Sequence, residues 1–136
     1  MVQNKFQALD ARLEQVRKQN EEAQARAIEQ RARDAANDQQ FIRLANEVIF
    51  PTVEDFARYA KQKHGKIVRH DMQNNLNGDV FEIFLDHIAS GPTLKLTHHA
   101  GHESLIVAGR GITVPSIPIK DVTAEWLIEK IVESLF

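Results

Sequence analysis

Large apolar residues are sparse and helically spaced over the first forty positions and dense afterwards. Phe6, Leu9, Leu13 and Val16 recur at intervals of 3, 4 and 3, and the series runs on through Asn20, Ala23 and Ala27. This is the heptad spacing of a coiled-coil seam with Asn at one a-type position, and it predicts self-association through Phe6, Leu9, Leu13, Val16 and Asn20. A second series, Ala25, Ile28, Ala32, Ala35, Gln39 and Ile42, is offset by two residues, so the seam shifts or loosens in the middle. The first 50 residues hold neither Gly nor Pro and are rich in Ala, Gln, Glu, Arg and Leu, which predicts one long helix. The alternative for this arm is a solvated, partly frayed helical tail.

From Phe41 onward the pattern thickens. Phe41, Leu44 and Val48, with Ile42, Ala45 and Ile49, form two adjacent stripes that should dock this end of the helix on a core. Pro51 disfavours helical geometry at Phe50 and predicts a kink or restart. A second helix is expected with Thr52 as N-cap, an apolar face of Val53, Phe56, Ala57 and Ala60, and Gly65 as its stop. Residues 66 to 110 read as antiparallel strands. Lys66 to Met72 is a short strand, Gln73 to Gly78 a polar loop, and Val80 to His87 a strand with Phe81, Ile83 and Leu85 on one face. Val80, Phe84 and Ile88 would share the other face with Glu82 and Asp86. Asp79 with Glu82 also fits a capping box and Gly91-Pro92 a helix end, so a helix over 80 to 90 is the competing expectation. Thr93 to Ala108 is expected to be a hairpin with a two-residue turn at Ala100-Gly101, pairing Leu96 with Leu105 and Leu94 with Val107. Ile112 to Pro118, with two prolines, fits an edge or a crossing loop. Thr123 is the N-cap of a final helix, Val122 and Leu127 make a hydrophobic staple, and Leu127, Ile128, Ile131, Val132 and Leu135 form its apolar face.

The expected architecture is α+β: a long N-terminal helix suited to a coiled coil, a second helix, a four-stranded antiparallel sheet, and a C-terminal helix packed on the sheet. Residues 1 to 40 form the helical arm and 41 to 136 the globular domain.

Composition narrows the chemistry. Seventeen Lys and Arg stand against 19 Asp and Glu, a net charge of -2, so no overall field steers this chain onto nucleic acid or an anionic membrane. There is no cysteine, hence no disulfide framework, thiolate zinc site or Cys nucleophile. Neither a signal-peptide h-region nor a run of 18 apolar residues occurs, and the chain reads as a cytoplasmic protein with no membrane partner.

Three clusters remain. Arg58, Lys61, Lys63, Lys66 and Arg69, with His64 and His70, form a basic run free of acidic residues, suited to an anion or an acidic partner. Its plain reading is that cations complement a helix C-terminus and guard a sheet edge. His99 and His102, opposite each other across the expected turn, would offer two imidazoles to a metal, but a catalytic zinc needs a third protein ligand that this register does not bring. Gly109-Arg110-Gly111 lacks the spacing of a phosphate-binding fingerprint. The sequence assigns no catalytic residue and no cofactor. It points to a small non-enzymatic interaction module of adapter, chaperone-like, inhibitor or immunity type, a homodimer through its N-terminal helix, with a protein partner on a sheet face or edge. The alternative is a regulatory module binding an anionic or phosphate ligand at residues 58 to 70.

Overall fold

A computed structural model describes residues 2–85 and 91–135, with side chains over 4–85 and 91–134. The chain divides into two units, Met1–Arg33 and Asp34–Phe136. Helix α1 (Val2–Leu44) makes up all that is described of the first and enters the second. Along the first unit every described side chain is exposed, so nothing within that unit supplies the tertiary packing that usually stabilises a helix.

In the second unit α1 passes through one π-helical turn (Ala45–Ile49) into α2 (Phe50–His64). Pro51 does not take Phe50 out of helical geometry, contrary to expectation. Phe50 keeps helical angles (φ −62°, ψ −49°), and its N–H bonds the carbonyl of Ala45, five residues back. The wider turn makes room for the proline ring, which sits in the first turn of α2, where a missing N–H costs least. Thr52 is therefore not an N-cap; it is helical and buried. Gly65 ends α2 as expected, in the left-handed conformation (φ 64°), with its N–H directed to the Ala60 and Lys61 carbonyls.

The sheet has five strands rather than four: β1 (Val68–Asn75), β2 (Gly78–Leu85), β3 (Leu94–His99), β4 (Ser104–Gly109) and β5 (Ser116–Pro118). Each strand pairs antiparallel with its sequence neighbour. The fifth is the proline-rich stretch, which adds to β4 at an edge. Its pairing is extended by Val107 N–H to the Pro115 carbonyl and Ile119 N–H to the Glu103 carbonyl, both 2.9 Å. At an edge the prolines' missing donors break no ladder bond. The expected loop over Gln73 to Gly78 shrinks to two residues, Leu76 and Asn77, because Asn75 lies opposite Gly78. Residues 78–85 are strand, and the rest of the 80–90 stretch lies outside the described residues.

The hairpin register differs by two residues from expectation. Leu96 pairs with Val107 and Leu94 with Gly109, and the turn is a four-residue loop, Ala100 to Glu103, between β3 and β4. A shift of two keeps every side chain on its face, so Leu94, Leu96, Leu105 and Val107 still share the core. Contacts distant in sequence hold the longer loop. Asn37 Nδ2 donates to the Gly101 carbonyl at 2.9 Å, and Gly101 N–H donates to Asp38 Oδ1 at 2.7 Å. A chain cut to begin at Gln40 loses both bonds and is expected to be less stable than one beginning at Asp34 by about 1–3 kcal/mol, read as a lower denaturation midpoint with an unchanged slope.

Helix α3 (Ala124–Leu135) follows a short 3₁₀ turn, Ile119–Asp121. Thr123 caps it, Oγ1 accepting from the Trp126 N–H at 3.1 Å. Leu127 and Ile131 are fully buried, and each such side chain contributes roughly 1.5–3 kcal/mol. The apolar face is narrower than expected: Ile128 and Val132 are exposed, as is Ile42 on α1.

Candidate functional site

The basic run is the first candidate, and the fold divides it. Glu54, Ala57, Arg58 and Lys61 recur at helical spacing and present one face of α2, and this face stands beside β1, one of the two edge strands. Between them lies a cleft of about 440 Å³ walled by that face and by Ile67, Val68 and His70. Arg58 also pairs with Asp55 at 2.7 Å, both ends exposed, a geometry worth well under 1 kcal/mol and easily exchanged for another carboxylate. His70 is half-buried, its ring 5.7 Å from Phe81 and 6.2 Å from Phe50. Of the expected set, Arg58 and Lys61 line the cleft. Lys63 and Lys66 are exposed and do not line it, and Arg69 lies on the opposite face of the sheet, its guanidinium 5.4 Å over the Phe84 ring.

No protein-family profile, curated protein or solved structure matches this chain.

β1 pairs with β2, and among the described residues no other strand pairs with it. Before the strand, Lys66 N–H donates to the Ala60 carbonyl at 3.1 Å, which ties the end of α2 to the approach to β1. An edge of this kind presents main-chain donors and acceptors to any extended chain that comes alongside.

The histidines do a different job from the one a metal would need. His98 is buried; it stacks on Phe41 with ring centroids 4.3 Å apart, and its Nε2 donates to the His102 carbonyl at 2.8 Å. Thus the imidazole that lies with the leucines organises the β3–β4 loop. His99 and His102 are neighbours, their ring centroids 5.7 Å apart, but His102 sits in the loop and not opposite His99 on a strand. Among the described residues no group of three or more His, Asp or Glu is placed to hold a metal ion.

Two apolar surfaces complete the inventory. On α1, Phe6, Leu9, Leu13 and Val16 are all about half exposed. Asn20 is also exposed on α1. Between α2 and α3 lies a cleft of about 400 Å³ that Tyr59, Ile128 and Val132 line. Sequence reasoning missed this cleft because helical periodicity marks Ile128 and Val132 as apolar without saying which neighbour covers them. No helix among the described residues is long and apolar enough to cross a membrane.

Proposed function

We propose that this chain is a small non-enzymatic interaction module, dimerising through its N-terminal helix and receiving a protein partner at the open edge of its sheet. The observation that carries the reading is the exposed heptad stripe. Phe6, Leu9, Leu13 and Val16 are 45–58% exposed on a helix whose every described side chain up to Arg33 is exposed. Such a helix, with few large apolar side chains and no packing inside its own unit, gains most from a second helix laid along the stripe. Edge recognition suits the rest, because main-chain hydrogen bonds supply affinity and leave no catalytic motif in the sequence. The reading assigns no cofactor, no metal and no catalytic group.

The test is solution mass by light scattering on the full chain and on the Leu13→Asp, Val16→Asp double variant. The expected result is a dimer of the 15.5 kDa chain that becomes a monomer in the variant, since two carboxylates in a desolvated seam cost several kcal/mol. A wild-type chain that runs as a monomer, or a variant that keeps the dimeric mass, rejects dimerisation through this helix.

A further inference from the structure

We infer that the cleft between α2 and β1 receives an extended, acidic peptide segment of a partner protein, added as a new strand on the edge of β1. The inference rests on the interaction-module reading and names the partner's chemistry. Three observations converge on it. β1 is an eight-residue edge strand whose pairing, among the described residues, is with β2 alone. Alongside it α2 supplies a wall, so a chain entering the cleft meets strand on one side and helix on the other. That wall offers small and apolar surface at Ala57, with Ile67 exposed at the strand end, and charge at Arg58 and Lys61.

Polarity selects the occupant. Of the five Lys and Arg between Arg58 and His70, Arg58 and Lys61 line the cleft, where Glu54 is the one acidic side chain beside them. Glu54 stands about one helical turn before Arg58, so carboxylates of the incoming strand are directed toward Arg58 and Lys61 and away from Glu54. Alternation along a strand then places every second residue of the peptide against the cleft. An acidic peptide can displace Asp55 from Arg58 without leaving a buried charge unpaired, because that ion pair is exposed.

The experiment uses the full chain and three labelled octapeptides in which Val alternates with Glu, Lys or Ser, followed by fluorescence anisotropy at low salt and by amide hydrogen exchange. The Val-Glu peptide is expected to bind about tenfold more tightly than the Val-Ser peptide. It should slow exchange in Val68–Asn75, and the Arg58→Glu, Lys61→Glu variant should prefer the Val-Lys peptide. Both variant sites are exposed on α2, and circular dichroism checks that it folds. Equal affinity for the Glu and Ser peptides with β1 protected overturns the acidic class and leaves edge recognition standing. Failure of every peptide to protect β1 overturns the inference and edge recognition together, while the dimer is judged separately by mass. Displacement of the Val-Glu peptide by inorganic phosphate, with β1 unprotected, overturns it in favour of a simple anion site.

Discussion

Replacing Gly78 by alanine is expected to remove a large part of the stability of the second unit. At this position φ is +148°, a conformation that L side chains rarely adopt, and holding one there costs about 1–3 kcal/mol. The added methyl would also lie 2.1 Å from the His98 carbonyl oxygen and 2.8 Å from the His99 Cα. Both are backbone atoms of the paired strand β3, so no rotamer change relieves the contact; β2 and β3 must separate at their ends. Overpacking of this kind adds about 1–3 kcal/mol or more. The sum, about 2–6 kcal/mol, is a large part of the roughly 5–15 kcal/mol that a domain has. A thermal melt followed by circular dichroism should show Tm lowered by well over 10 °C. Gly65→Ala is the control. Gly65 has φ +64° but nothing within 4 Å of the new methyl, so it should lose only about 1–2 kcal/mol. Equal losses at the two glycines would show that close strand approach is not what reserves position 78 for glycine.

Phe41→Ala should have the second large effect, about 3–5 kcal/mol. Phe41 is 1% exposed and fills the space between the end of α1 and the sheet. It also forms one face of the stack that holds His98. Its loss leaves a cavity beside an imidazole whose hydrogen bond to His102 fixes the loop, so the damage should spread into β3–β4. Denaturant titration measures the global loss, and amide exchange at Gly101 and His102 should quicken beyond it. Phe41→Leu should recover most of the stability while leaving the loop amides fast, because it restores volume without the ring. Full protection of those amides in Phe41→Leu would show that stacking contributes nothing to loop order.

Much of this fold was legible where the signal is local. The Thr123 cap, the Gly65 stop and the leucine face of β3 and β4 depend on neighbours within a few residues, and periodicity reports them directly. Pro51 misled because its expected effect assumes an ordinary α-helical turn before it, and a π turn lifts that restriction. The β3–β4 turn misled for another reason: its length is set by Asn37, Asp38 and Phe41, more than sixty residues before Gly101 or His98 in the first two cases and nearly as far in the third. The basic cluster was visible as composition, yet only the structure separates Arg58 and Lys61, which line the cleft, from Arg69, which does not. Exposure of the heptad stripe was likewise unreadable from spacing, since the same spacing serves a buried helix face.

The sequential order of the strands has an entropic consequence. Two residues close the β1–β2 pairing and four close β3–β4, so the sheet can assemble by short loop closures. The tie between α1 and Gly101 spans 64 residues at Asn37 and 63 at Asp38. Going from a loop of about four residues to one of about 64 is four doublings, or roughly 2.5 kcal/mol of additional closure entropy. One hydrogen bond, contributing about 1 kcal/mol net, does not offset that. Two bonds to Gly101 together with a buried aromatic stack do, and this is why Asn37, Asp38 and Phe41 act as a group.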